Sequence, residues 1–507
     1  MAMGITKGEK IGQLLFFGFD GTTLTEHAQE VIKNSAPGGV VLYRRNFSDE
    51  EQIRTLIDHL QAFNKQYHPA SPPLFVALDH EGGTNVTISK GVTPFPTNMA
   101  MGNVKKLSQV GEMFELVAQE LYSFGFNMIF GPCVDVNDNP DNPIIGLRSF
   151  GSDPELVAKV SRVSAKGLTD GGLIPVVKHF PGHGSTNADS HLTLPMVKRT
   201  RSQMDRIDLL PFRTVIKKSV PALMTAHVHY TTYDPKEEIP ATCSYNVIKK
   251  LLRKKLGFQG LVIADDMEMS SVRKTLGAEN GIRKALAAGV DMFLVAHTKQ
   301  HQIDAVEYLK QAVNTGEIHL SRIERSVDRI IAMKYEFFNR EIRIRRKPGS
   351  TLSLGLSKKL FDESIKVVKK TRGYIPIKSK MIQYVYPNLD HLREEGRMFK
   401  FPKSFANELR SKKIKGKGFQ YPFEPTVAGI DKIKGKLDGD LPIVLFTFKQ
   451  QFSASRQRLY DALSEPFDII QVGISDPYDD HSKSAVFIAT FGYHDMAISA
   501  LTKQLLG

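Results

Sequence analysis

Fourteen residues, Lys178 to His191, hold a lysine, three histidines and an aspartate together with Pro181, Gly182 and Gly184. The segment follows the apolar run Ile174-Pro175-Val176-Val177, which reads as a buried strand. Imidazoles this dense on a loop after a buried strand point to chemistry rather than packing, and the glycines predict a mobile loop. Asp189 stands two residues before His191. A carboxylate there can accept the imidazole Nδ1–H, fix the tautomer and raise the ring's basicity. An imidazole so tuned can give a proton to a leaving group and later take one from water. The same residue types are also zinc ligands, so His179, His183, His191 and Asp189 admit a metal reading.

Other carboxylates stand at similar places. Asp265 follows the run Leu261-Val262-Ile263-Ala264. A carboxylate at such a strand end can attack an anomeric carbon and form a covalent glycosyl-enzyme. Asp266 is its rival, although it can equally cap the next helix. In Asp79-His80-Glu81-Gly82-Gly83 the paired glycines let backbone approach a ligand, and Asp79 can accept two sugar hydroxyls. The acidic stretch Asp135 to Pro143 suggests calcium but fails the EF-hand pattern, with Pro140 at the glycine position and Gly146 in place of the bidentate glutamate. It reads as a turn leading to Arg148, a candidate substrate clamp.

Elements must bring these groups together. Eight apolar runs end at Asp20, Arg44, Asp79, Asp135, Lys178-His179, His227, Asp265 and His297, with helical patterns between them. One pattern runs from Leu107 to Leu121, one opens at Ser244 as N-cap, and one stops at Gly289. Near-continuous apolar strands alternating with helices describe a parallel sheet covered on both faces. Eight of them predict a closed (β/α)8 TIM barrel, whose active site lies at the C-terminal strand ends where these polar residues sit. Zinc hydrolases on barrels draw ligands from several strands, one type through His-x-His after the first. Here that strand ends Gly18-Phe19-Asp20, which argues against metal.

The barrel is expected over residues 1–338, closing with a helix from Ile323 to Phe337. Residues 339–356 read as a linker, and 357–507 as a smaller α/β domain with runs at 382–386, 443–447, 469–472 and 485–489 and no catalytic motif. With 41% hydrophobic and 24% charged residues the chain can build full cores. Cys133 and Cys243 are too few for a disulfide framework. The N-terminus has no apolar leader core and no run approaches the ~20 residues of a membrane span, so a cytoplasmic protein without an integral membrane segment is expected. The net charge of +14 gathers in 340–347 and 411–417. These read as solvated surface, and no nucleic-acid motif accompanies them.

Taken together, Lys178-His179-Phe180-Pro181-Gly182-His183-Gly184, Asp189-Ser190-His191, Asn142 to Gly151, Met224-Thr225-Ala226-His227 and Asp265-Asp266-Met267 resemble family 3 glycoside hydrolases of the bacterial β-N-acetylglucosaminidase branch, two-domain type. The resemblance implies a retaining double displacement without metal or organic cofactor. It makes Asp265 the nucleophile and His191, assisted by Asp189, the acid/base. It gives Asp79, Arg148, Lys178 and His179 the terminal N-acetylglucosamine of a peptidoglycan fragment. The chain departs from the family pattern at Thr84-Asn85 and at Ser185. A phosphorylase or a β-glucosidase on the same fold is the alternative.

Overall fold

The computed structural model describes residues 4–507 apart from 84, 191, 343, 345–347, 372 and 391–400. Eight parallel strands close a barrel: Leu15–Phe17 (β1), Gly39–Val41 (β2), Phe75–Leu78 (β3), Met128–Ile129 (β4), Ile174–Phe180 (β5), Ala222–Thr225 (β6), Leu261–Asp266 (β7) and Met292–Val295 (β8). Each pairs with its neighbours in sequence, and β1 pairs with β8 to complete the ring. The strands fall in the eight apolar runs, and all the residues of β1 and β3 are buried. The fourth strand is shorter than its run because Pro132 has no N–H to give the sheet. Only an isolated bridge from Cys133 to Lys178 continues it.

The helices expected from sequence are present as Leu107–Ser123, Ala278–Ala288 and Leu320–Phe338. The segment after Ser244 is π-helical over Asn246–Lys255, and the Ser244 hydroxyl accepts the Val247 N–H at 3.0 Å. Gly289 ends its helix with φ of 119°, a conformation a side chain would resist.

The second domain holds six strands: Lys366–Lys370 (β9), Met381–Pro387 (β10), Lys415–Tyr421 (β11), Ile443–Thr447 (β12), Ile469–Gly473 (β13) and Val486–Ala489 (β14). Their order is β9-β14-β13-β12-β10-β11, parallel except for β9. The two strands absent from the sequence reading are the edges. Lysine and glycine in Lys-Val-Val-Lys-Lys and Lys-Gly-Lys-Gly lower strand propensity and suit unpaired edges that must not aggregate. The helix Thr351–Ser364 begins inside the span read as linker, with Ser350 accepting the Ser353 N–H. Part of the basic run 340–347 lies outside the described residues.

The domains meet over the barrel mouth. Met99 and Ala100 pack against Ala489 and Phe491, and the Thr97 hydroxyl donates to the Phe491 carbonyl at 2.7 Å. Asn137 donates to the Tyr478 hydroxyl at 3.1 Å. The C-terminal strand ends of both sheets therefore face one shared space.

One buried cation sits at the other pole. Lys334 donates to Gln13 Oε1 at 3.0 Å and lies 4.9 Å from the Phe75 ring centre. Burial pushes its ammonium well below the usual 10.5. The unfolded chain holds that proton up to about pH 10.5, so this group makes stability rise with pH across the window. Lys334→Met is expected to unfold later than the parent at pH 7, net of the orphaned Gln13 side-chain oxygen. In thermal melts the advantage should shrink by pH 10. A variant that melts earlier at every pH contradicts this reading.

Candidate active site

A cavity of about 890 Å3 opens at the barrel mouth. Asp79, Arg148, Lys178, His179 and Asp265 all line it. Phe448 and Lys449 after β12, Ser475 after β13 and Tyr493 after β14 line it from the second domain. These four residues form no motif, so the sequence of that domain shows no chemistry. Their placement at the ends of parallel strands, where α/β sheets bind ligands, is the signal it held.

Two local irregularities aim the central residues. Register slips between Ala264 and Asp266 where β7 pairs with β8. It slips again between Val177 and Phe180 where β5 pairs with β6. Asp265 is the extra residue of the first bulge, and Lys178 and His179 fall within the second. Bulges re-aim side chains that strict alternation would send elsewhere. One Asp265 oxygen accepts the Asp266 N–H at 2.8 Å. The other takes no hydrogen bond from the described residues. Burial disfavours charge on Asp265, but the positive fields of His179 and His227, the Asp266 N–H and Lys178 outweigh it and lower its pKa. Asp265 is thus an ionised carboxylate with one oxygen uncommitted. Asp266 does not cap the following helix. It accepts the Glu268 N–H at 3.0 Å and pairs with His297 at 3.2 Å.

The floor is a charge network. Lys178 Nζ lies 2.5 Å from Asp79 and 2.6 Å from Glu81. Arg148 grips Glu81 through Nε and Nη2, both at 2.9 Å. Burial raises the Glu81 pKa, but Arg148 and Lys178 prevail and hold it far below the usual range. Both cations are in turn raised despite burial, by Glu81 and by Asp79. Glu81 stands in the motif between Asp79 and the two glycines, yet the sequence gives it no role of its own. Nothing in its spacing marks it as the joint anchor of residues 67 and 97 positions away.

Asp135 is the other omission. Its place at the end of the fourth apolar run puts it at the mouth, but nothing in the sequence assigns it a partner. Its carboxylate accepts His179 Nδ1–H at 2.7 Å and the His183 N–H at 2.7 Å, and takes the Cys133 thiol at 3.2 Å. Against burial, His179 and His183 hold its pKa down to about 2. With Nδ1–H donating to Asp135, the His179 Nε2 faces Arg148 Nη2 at 3.3 Å. The ring is fixed as part of the wall. The ligand atoms of Cys133, Asp135 and His179 lie within 4.8 Å of one another, the one metal-ligand grouping among the described residues. Their 2.7 Å nitrogen–oxygen separation is that of a hydrogen bond, and an ion there would have to displace the Nδ1 proton.

The loop after β5 is anchored at the glycines from which the sequence predicts mobility. A Cβ on Gly184 would come within 1.8 Å of the Val136 carbonyl oxygen, so glycine here permits close packing. Gly182 has φ of 125°, its carbonyl accepts the Tyr230 hydroxyl at 2.5 Å, and a Cβ would meet Asp208 at 2.7 Å. His183 is buried, bonded to Thr186 at 3.0 Å and Ser190 at 3.1 Å, with its pKa pushed down to about 4 by burial and by His179. Asn142 holds the His183 carbonyl at 2.9 Å. The glycines fasten the first half of the loop to the 135–143 turn, and this corrects the mobile-loop expectation for residues 181–186. Asp189 is half-buried beyond this anchored half, and its carbonyl accepts the Leu192 and Thr193 N–H groups at 3.1 Å. His191 and Thr84 lie outside the described residues. Ser185 Oγ is buried with no hydrogen-bond partner among the described residues.

The sequence and fold match known proteins. A model of the glycosyl hydrolase family 3 N-terminal domain matches residues 6–333. The chain is 33% identical over 335 residues to beta-hexosaminidase A of Pseudoalteromonas piscicida, covering 62% of this chain and 56% of that one. It is 34% identical over 317 residues to the beta-hexosaminidase of Alkalilimnicola ehrlichii, covering 61% of this chain and 88% of that one. The solved structure of a glycoside hydrolase family 3 β-N-acetylglucosaminidase from Paenibacillus superposes with a TM-score of 0.91 at 32% identity, over 99% of this chain and 97% of that one. With the barrel, its carboxylate-bearing mouth and a family match across two-thirds of its length, the chain belongs to glycosyl hydrolase family 3.

Proposed function

We propose that the protein is an exo-acting, retaining β-N-acetylglucosaminidase that releases terminal N-acetylglucosamine from peptidoglycan fragments. The observation that carries this reading is the Asp265 carboxylate: ionised, bulged into the cavity and holding one oxygen uncommitted opposite the charge network of Lys178, Asp79 and Arg148. The sugar would sit with its hydroxyls on Asp79, Arg148 and Lys178 and against the fixed ring of His179. Asp265 attacks the anomeric carbon as the aglycone departs with a proton from His191, which Asp189 supports. Water then gives its proton back to His191 and displaces Asp265, so the anomeric configuration is retained. Roofing of the mouth by Phe448, Lys449, Ser475 and Tyr493 supports attack at a chain end. The names of the matched relatives support the N-acetylated sugar.

Turnover of the p-nitrophenyl N-acetyl-β-glucosaminide with release of free sugar, and little turnover of the glucoside, is the expected result. Equal rates on both would favour the β-glucosidase alternative. Sugar 1-phosphate as the main product in phosphate buffer would favour the phosphorylase.

The acid role has its own signature. In His191→Ala, substrates with poor leaving groups should slow by about 100-fold or more while activated aryl glycosides keep far more of their glycosylation rate. Equal losses across a leaving-group series would remove the acid role from His191.

A further inference from the structure

A cluster of positive side chains lies at the pole opposite the sugar site. The helix Leu320–Phe338 carries Arg322, Arg325 and Arg329 at i, i+3 and i+7, one face of an α-helix. The π-helical segment Asn246–Lys255 carries Lys249 and Arg253. Two of these five cations, Arg253 and Arg329, pair with one carboxylate, that of Asp291, whose side chain is fully buried just before β8. Arg253 Nη2 reaches it at 2.6 Å and Arg329 Nη1 at 2.9 Å, and Ser326 adds a hydroxyl at 2.9 Å. Among the described residues no second acid pairs with them. Glu324 is drawn to Lys10 at 2.8 Å, and Asp328 makes no ion pair among the described residues.

Two of the cations are fixed in place. Arg253 donates to the Phe258 and Gly260 carbonyls at 3.0 and 2.7 Å. Arg322 donates to the Leu286 and Val290 carbonyls at 2.8 and 2.6 Å and to Ser326 at 2.7 Å. Burial, with Arg329, Arg325 and Arg253 nearby, pushes Arg322 down to about 10 despite Asp291. Lys249 is lowered by burial and by Arg322, Arg325, Arg329 and Arg253. The like charges therefore stand close enough to repel one another. Lys249 and Arg325 are exposed and have no ion-pair partner among the described residues. Among the described residues Arg329 bonds through Nη1 alone, which leaves Nε and Nη2.

We infer that Lys249, Arg325 and Arg329 form an oxyanion site for a multiply charged phosphoryl group, with Arg253 and Arg322 as its fixed wall. The surplus of several positive charges calls for a multivalent anion, and the guanidinium fork matches phosphate oxygens pairwise. Helix termini and edge strands explain lone surface lysines, but not two basic segments that each send an arginine to a single buried acid.

Thermal melts of the full chain test this with inorganic pyrophosphate, inorganic phosphate, dimethyl phosphate and sodium chloride at matched ionic strength. Pyrophosphate at about ten times its Kd should raise the midpoint by roughly 2 °C, ahead of phosphate, with dimethyl phosphate no better than chloride. In Lys249→Gln/Arg325→Gln the pyrophosphate rise should vanish. The unliganded double variant should melt at or above the parent because repulsion is relieved, and its glycosidase turnover should be unchanged. An equal rise with chloride, or a pyrophosphate rise that survives in the double variant, overturns the proposal.

Discussion

Asp265→Ala is expected to lose about a thousandfold or more in turnover of p-nitrophenyl N-acetyl-β-glucosaminide while melting near the parent temperature. The side chain takes one N–H from its own neighbour and no other hydrogen bond from the described residues, so its removal leaves no distant partner stranded. The loss should therefore be chemical and not structural. Azide separates the two roles by product. In Asp265→Ala, azide can occupy the vacated space and attack from the face the carboxylate used, giving the α-glycosyl azide. In His191→Ala the glycosyl-enzyme still forms on an activated substrate, and azide attacks from the other face to give the β-glycosyl azide. Asp265→Ala with near-parent turnover, or the β-azide from that variant, would remove Asp265 from the nucleophile role.

The second large effect is expected at Glu81. Its carboxylate holds Arg148 at 2.9 Å through two nitrogens and Lys178 at 2.6 Å, with all three side chains largely shielded from water. Glu81→Gln keeps the shape and removes the charge. Lys178 retains Asp79, so Arg148 is the group left without its counter-ion. Breaking a buried pair from one side costs about 3 kcal/mol or more, because the remaining charge stays desolvated. The variant should melt earlier, and kcat/KM should fall through KM first as Arg148 loses its aim at the sugar. Denaturant unfolding alongside steady-state kinetics checks both arms. Parent stability with parent KM would show that Arg148 and Lys178 need no shared anchor.

Much of this was legible in the sequence because barrel strands buried on both faces are plain apolar runs. A polar residue ending each run marks the mouth directly. Asp79, Lys178, His179 and Asp265 come to one cavity on that logic, and Arg148 joins them from the turn after residues 135–143. What stayed hidden depends on long-range partners or on broken periodicity. Glu81 and Asp135 are defined by cations and imidazoles far along the chain. The bulges at Asp265 and at Lys178-His179 leave no trace in a two-residue alternation, nor do the cis peptides at Lys178–His179 and Phe180–Pro181. The glycines at 182 and 184 misled because glycine serves flexibility and close approach alike. Only the neighbouring Val136 carbonyl and Asp208 decide between them. The edge strands β9 and β11 escaped notice because their lysines and glycines protect an edge at the expense of strand propensity.

The claim on which the account turns is a covalent intermediate on Asp265. A 5-fluoro N-acetylglucosaminyl fluoride, which slows breakdown of the glycosyl-enzyme, should add one sugar mass to the intact protein. Peptide mapping by mass spectrometry should place that mass on the fragment containing Asp265. A label on any other residue, or turnover without a trapped adduct and with inverted anomeric configuration, would contradict it.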